Sequence, residues 1–300
     1  MTVTLDWLGV ATFRLTVDDQ VIFLDAYMDR VAGAPAVGLK VADVDRADHV
    51  LIGHSHFDHL WGAERIAHNT GVTIIGSHET VRLMQLEEVP EAQLMAVSGG
   101  ERIRLSDNVT VRVFPSQHSC IWSRSGAPEE VCLGDQQVTL QERQYRLKER
   151  AAQRATSDLP RMADVVAHRR ACTQSPRAEG GAYAYLIETA EGSILWKDTS
   201  GHWTGILRDL RPDVAILAAS GRGNIDGEPI QGSLAQFMAR EADLLRPGKI
   251  VLCHHDDWNP PVTRPTDVAP IRQELARQSP HVELVEMGYL EDYPILRRDH

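Results

Sequence analysis

The sequence predicts a layered α/β protein. Short apolar runs recur between polar, glycine-containing turns, helical signals fall among them, and the strands-then-helices pattern comes twice. No low-complexity tract or flexible linker interrupts the 300 residues, so one domain over 1–300 is expected.

The strands of the first half are expected at Val3–Trp7, Phe13–Thr16, Val21–Asp25, His49–Gly53, Thr73–Gly76 and Val109–Phe114. Those of the second half are expected at Tyr183–Glu188, Ser193–Lys197, Val214–Ala218, Ile250–Cys253 and Val282–Val285. Helices are expected at Glu79–Glu88, through Val81, Met84 and Leu86, and at Ser233–Leu245, through Leu234, Phe237, Met238, Ala242 and Leu245. A third, Thr266–Gln278, opens with threonine and aspartate as a capped helix does. Residues 119–181 lack strand signals and read as a helical insertion. In it Leu140, Leu147, Ala151 and Ala155 share one face at helical spacing, as a lid, an oligomer contact or a solvated surface helix would have.

Composition narrows the function. Hydrophobic residues make up 43% and charged residues 24%, ordinary for a globular enzyme. Lys and Arg number 31 against 42 Asp and Glu, a formal charge of −11, and no basic run offers a face for nucleic acid. Cys120, Cys132, Cys172 and Cys253 are scattered without a CxxC pair, which argues against a disulfide framework or a cysteine zinc site. Cys120 and Cys253 lie near candidate ligand histidines, so either could line a site or be a buried thiol. The first residues show no signal peptide and no apolar run is long enough to span a membrane, so a cytoplasmic protein is expected.

One segment carries the chemistry: His54-Ser55-His56-Phe57-Asp58-His59, directly after the apolar run Val50-Leu51-Ile52-Gly53. Alternate residues of an extended chain point the same way, so His54 and His56 can face one metal ion. Asp58 and His59 follow the strand, where the chain can turn them toward a second ion. Imidazole nitrogen and carboxylate oxygen suit zinc, iron and manganese. Three later residues complete a two-metal set: His118 after Phe114-Pro115-Ser116-Gln117, Asp198 at the end of Leu195-Trp196-Lys197, and His254 after Ile250-Val251-Leu252-Cys253. All leave strand ends, where layered α/β sheets gather reactive groups.

This ordered set, His-x-His-x-Asp-His followed by a distant His, a strand-end Asp and a final His, resembles the metallo-β-lactamase-fold hydrolase superfamily across residues 50–255. The resemblance implies a four-layer αββα sandwich. It implies that His54, His56 and His118 hold one ion, that Asp58, His59 and His254 hold the other, and that Asp198 bridges them. His255 is the alternative last ligand, and His255-Asp256-Asp257 could otherwise support the ligands or meet substrate. The opening Trp7-Leu8-Gly9-Val10-Ala11-Thr12-Phe13 with Leu24-Asp25 is similar to the branch of ascorbate-6-phosphate lactonase and N-acyl-phosphatidylethanolamine phospholipase D, though many members have histidine where Val10 stands. Asp25 is a candidate to orient a ligating imidazole.

Two cations about 3.5–4 Å apart can share an oxygen and make it hydroxide near neutral pH. The expected function is therefore a binuclear hydrolase in which that hydroxide attacks a small ester-like substrate: a lactone, carboxylic ester or phosphodiester. Zinc is the first expected metal, with Mn2+, Ni2+ or Fe2+ as alternatives. Asp58 and Asp198 are the expected catalytic carboxylates, and His202 a candidate proton donor or oxyanion contact. Trp203, Arg222 and His255 are candidate substrate contacts; Arg222 could pair with a carboxylate or phosphate. Asp226 and Glu228 read as turn residues. The Ser220-Gly221-Arg222-Gly223-Asn224 stretch has neither P-loop nor Gly-x-Ser-x-Gly spacing, which disfavours a serine hydrolase. The alternatives are an iron redox enzyme of the same fold, disfavoured by a histidine at position 56, and a non-catalytic metal-binding protein. A homodimer is a habit of the superfamily.

Overall fold

A computed structural model describes residues 2–123, 132–133, 137–172 and 179–297. Two seven-stranded sheets dominate it. The first is built from β1 (Thr2–Trp7), β2 (Phe13–Val17), β3 (Gln20–Leu24), β4 (His49–Leu51), β5 (Thr73–Gly76), β6 (Leu94–Ala96) and the late strand β19 (Tyr293–Arg297), which joins the edge beside β1. The second comprises β7 (Arg102–Arg104), β8 (Thr110–Pro115), β10 (Tyr183–Thr189), β11 (Gly192–Lys197), β13 (Val214–Ala218), β17 (Lys249–Cys253) and β18 (Glu283–Val285). Short strands β9 (Cys132–Leu133), β12 (Gly201–His202), β14 (Asn224–Ile225), β15 (Glu228–Pro229) and β16 (Gln231–Gly232) form two smaller sheets.

Period-two alternation explains the layers. Leu5, Phe13, Leu15, Ile22 and Leu24 of the first sheet meet Val111, Tyr185, Ile187, Trp196 and Ile216 of the second in the inter-sheet core. The residues between them face outward. Phe23, Val50 and Ile74 lie under α2 (Ala63–Thr70) and α3 (His78–Leu86). Leu186, Leu195, Leu217 and Ile250 lie under α7 (Leu234–Leu245) and α8 (Ala269–Gln278). Helix, sheet, sheet, helix is the four-layer order expected. Helix α7 is capped on both counts: Ser233 accepts from Gln236 N, and the Gln236 side chain accepts from Ser233 N.

Several boundaries differ from the sequence reading. Ser77 caps α3 by accepting from Thr80 N. The third expected helix starts only at Ala269, because Thr266 Oγ1 donates to Ala219 O instead of capping it. Strands β6, β7 and β19 and the helix α2 were not expected. Between β8 and β10 stand α4 (Leu140–Ala155) and α5 (Met162–Cys172); residues 124–131, 134–136 and 173–178 of that stretch lie outside the described residues. The apolar face expected on α4 is not a buried one. Leu140 is 71% exposed and Ala151 is exposed, and Ala155 lies outside the residues whose side chains are described. Leu147 packs on Cys120, Trp122 and Val138, while Arg143 lies over the Trp122 ring and pairs with Glu228 at 2.8 Å. Among the described residues no helix is long and apolar enough to cross a membrane.

Candidate metal centre

The C-terminal ends of β3, β4, β8, β11 and β17 come together at one rim, and each delivers a polar side chain there. After β4 the chain is pinned on both sides. Gly53 N donates to Asp25 Oδ1 (3.0 Å), Gly53 O accepts from Tyr183 N (2.9 Å), and the Tyr185 hydroxyl donates across the sandwich to Ile52 O (2.8 Å). His56 then heads the single turn α1 (Phe57–Leu60), which swings Asp58 and His59 back toward the cluster.

Among the described residues, three groups of potential ligand atoms lie within 4.8 Å of one another: His54, His56 and His118; His54, His59 and Asp198; and Asp58, His59 and His254. These are the seven residues expected from the sequence, meeting in one place. His54 Nε2 lies 3.0 Å from His56 Nδ1, and His54 Nδ1 lies 2.5 Å from Asp198 Oδ2. His118 donates Nδ1–H to Ser119 O at 2.9 Å, which leaves Nε2 for the cluster. Asn224, not foreseen, donates to His118 O at 2.7 Å and steadies that loop. Asp58 Oδ2 stands 3.7 Å from His59 Nε2 and 3.5 Å from His254 Nε2.

Asp25 sits behind His59 and accepts its Nδ1–H at 2.6 Å, which points Nε2 at Asp58. This is how a carboxylate fixes the tautomer of a ligating imidazole. Asp25→Asn is expected to weaken metal binding about 10- to 100-fold, read by competition with a chelating dye. Unchanged affinity would show that His59 is held some other way.

The electrostatics are those of a site short of positive charge. Burial, reinforced by neighbouring imidazoles, pushes His54 and His56 well below the usual histidine range, so both are neutral with lone pairs available. Burial also lowers His59. Burial and the charge of Asp198 drive Asp25 well up, and burial raises Asp198. Burial opposes both charges of the Asp58–His254 pair, yet their attraction prevails: Asp58 falls, chiefly through His59 and His254, and His254 rises. Among the described residues, Asp198 Oδ1 and His254 Nδ1 are buried with no hydrogen-bond partner. Neutral imidazoles, uncompensated buried carboxylates and unpartnered donor atoms together fit divalent cations.

Residues 20–135 match the model of the beta-lactamase superfamily domain. Metal-dependent hydrolases of the UPF0173 group from Pyrobaculum neutrophilum and Pyrobaculum arsenaticum are 30% and 34% identical to 45% and 41% of this chain. The chain spans 57% and 52% of those relatives, just over half their length. Igni18, a metallo hydrolase of Ignicoccus hospitalis, superposes with a TM-score of 0.61 at 16% identity, each chain covered at 100%. An isothiocyanate hydrolase from Delia radicum gut bacteria gives 0.60 at 15% identity, over 99% of this chain and 100% of its own. The metallo-β-lactamase fold protein YhfI of Bacillus subtilis gives 0.52 at 11% identity, over 96% and 99%. Residues 20–135 are thus similar to the beta-lactamase superfamily domain, and the chain has the metallo-β-lactamase fold.

Within this metallo-β-lactamase fold, the other expected site residues are not members of the three ligand groups. His202 turns into the helix layer: it is fully buried, donates Nδ1–H to Glu241 Oε1 at 2.8 Å and stacks on Phe237. That corrects the expectation of a proton donor at the reacting centre. His255 stacks on Trp7 with ring centroids 4.6 Å apart, so His254 is the histidine that joins Asp58 and His59. Trp203 is 38% exposed at the start of α6 (Thr204–Leu207). Arg222 is engaged through its backbone, its carbonyl accepting from Cys120 N at 2.9 Å. Asp226 Oδ1 accepts from Thr204 N at 2.7 Å, a turn role as expected. Cys120 and Cys253 are buried thiols in apolar clusters.

Val10 acts through its backbone. Its carbonyl accepts from His254 N at 2.6 Å and its N–H donates to Asp256 Oδ1 at 3.2 Å, while Asp256 is held by Arg30 and the Tyr289 hydroxyl. His254 needs that support, because its φ of 60° lies in the left-handed region. Also unforeseen is an aromatic group beside Asp58 and His254. Tyr27 contacts Phe57, Trp61 and Trp258 edge-on or tilted, and Trp258 meets the His254 ring edge-on at 5.4 Å. Helix α5 closes it with His168, whose Nε2 lies 2.8 Å from the Tyr27 hydroxyl, and with Arg169 over Phe57.

Proposed function

We propose that this chain is a metal-dependent hydrolase that holds two divalent cations, zinc first, and cleaves a small ester-like molecule such as a lactone, carboxylic ester or phosphodiester. The observation that carries this reading is the meeting of seven imidazole and carboxylate side chains from four strand ends, with ligand atoms within 4.8 Å inside each group. When bound, a pair of such cations supplies Lewis acidity and a nucleophile at neutral pH. On this reading His54, His56 and His118 would hold one cation and Asp58, His59 and His254 the other, with Asp198 available to both. Asp25 keeps His59 in the required tautomer. Asp198, with Oδ2 toward His54 and Oδ1 unpartnered, would orient the reacting groups and pass a proton to the leaving group. Phe57 and Trp258, next to Asp58 and His254, support a substrate with an apolar portion on that side. The names of the relatives, metal-dependent hydrolases, and of the isothiocyanate hydrolase support hydrolysis at an electrophilic centre.

The test is a turnover screen with protein of measured metal content, using lactones, aryl esters, phosphodiesters and an isothiocyanate. Zinc-loaded protein is expected to turn over one class, to lose at least about a hundredfold after chelation, and to regain the rate with zinc or manganese. Iron with visible absorbance and no hydrolysis would favour the redox reading. Full activity without metal would overturn the proposal.

A further inference from the structure

Beneath the cluster lies a buried charged group that the proposed chemistry leaves unused. Lys197, Glu241 and His202 are 1%, 0% and 0% exposed, packed between the second sheet and α7. Trp196 points into the inter-sheet core, so Lys197, its neighbour on β11, points the other way, among Leu195, Leu217 and Phe237. Lysine is almost never buried there unless paired. All three of its donors are used: Nζ reaches Thr199 O at 3.0 Å, Gly201 O at 2.9 Å and Glu241 Oε1 at 3.0 Å. The same Glu241 oxygen accepts His202 Nδ1–H at 2.8 Å.

The two carbonyls that Lys197 grips belong to the loop directly after Asp198. That loop also reaches the His118 segment, since Gly201 O accepts from Ser116 Oγ at 2.9 Å and Thr199 Oγ1 from Ser119 N at 3.2 Å. We propose that Lys197, Glu241 and His202 form a buried positioning triad that fixes the 198–202 loop, and through it holds Asp198 and His118 in metal-receiving geometry. The proposal rests on the metal-site reading above. Stability alone does not account for the pair, because well-packed apolar residues often replace a buried ion pair at no cost. What apolar side chains lack is the pair of N–H bonds to the Thr199 and Gly201 carbonyls. Each carbonyl also has a donor of its own, Gly201 N for Thr199 O at 3.0 Å and Ser116 Oγ for Gly201 O at 2.9 Å, so what Lys197 adds is the tie that draws the two together and anchors them to α7 through Glu241.

The test uses Co2+, whose visible d–d spectrum reports ligand geometry without any substrate. Wild type is compared with Lys197→Met, Lys197→Met/Glu241→Leu and Glu241→Gln. Lys197→Met alone is expected to lower thermal stability, since it strands the Glu241 charge. The double variant is expected to recover most of that stability, yet to bind cobalt about 10- to 100-fold more weakly with an altered d–d spectrum. Glu241→Gln keeps the side-chain shape and covers the case in which the double variant does not fold; it is expected to shift the spectrum in the same direction. A folded variant with the wild-type cobalt affinity and spectrum would overturn the triad. Wild type that takes up no cobalt overturns the metal-site reading and the triad with it. Wild type that binds cobalt but hydrolyses nothing counts against the hydrolase alone.

Discussion

Asp58→Ala is expected to abolish turnover, by at least about a thousandfold, while both sheets stay folded. Metal charge stabilisation in the transition state is worth several kcal/mol, and a loss of ~4 kcal/mol is about three powers of ten. Asp58 is the only carboxylate in the group formed with His59 and His254, so its removal would leave the cation proposed there two imidazoles and a share of Asp198. The fold does not depend on it. Its carboxylate faces ligand histidines at 3.5 and 3.7 Å, whereas α1 is anchored by Leu60 in the outer core. Metal analysis should find the content per chain reduced, the His54–His56–His118 group remaining intact, and far-UV circular dichroism should match the parent. Turnover at the parent rate would mean that the second cation is not where Asp58 stands.

The cluster was legible because its chemistry demands particular residue types at strand ends, and both cues are local. A two-residue spacing after a buried strand puts His54 and His56 on one side, whatever the rest of the chain does. Layer order was legible for the same reason, since alternation in β2 or β8 shows which face is buried. What stayed hidden depends on distant partners. His202 looked free to serve the site because Glu241, thirty-nine positions later, is invisible to local spacing. The choice between His254 and His255 turned on Trp7, at the opposite end of the chain. Strands β6 and β7 escaped notice because they are three-residue edges with mostly exposed side chains, so no apolar alternation marks them. Helix α2 does carry a local signal, Ala63, Ile66 and Ala67 at helical spacing. On α4 the inward side includes half-buried Arg143, whose guanidinium lies over the Trp122 ring, so apolar residues alone do not mark the face.

Gly53→Ala is the second large effect, and it tests the site through shape alone. A β-carbon at Gly53 would stand 2.1 Å from Asp198 Oδ2 and 2.2 Å from its Cγ, where real contacts stay beyond 3.0 Å. The backbone is not free to retreat: Gly53 N is tied to Asp25, its carbonyl to Tyr183 N, and the preceding carbonyl to the Tyr185 hydroxyl. Asp198 must therefore give way by about 1 Å, a displacement that costs about a hundredfold when it falls on a reacting group. Overpacking at such a point also costs about 1–3 kcal/mol of stability. The expected outcome is a folded protein with lower melting temperature, weaker metal binding and kcat down by about two powers of ten. Gly205→Ala is the matched control, because a β-carbon there meets nothing within 4 Å and α6 tolerates it. If Gly53→Ala kept the parent metal affinity and rate, Asp198 would have room that this geometry denies it, and the proposal that it spans two cations would fall.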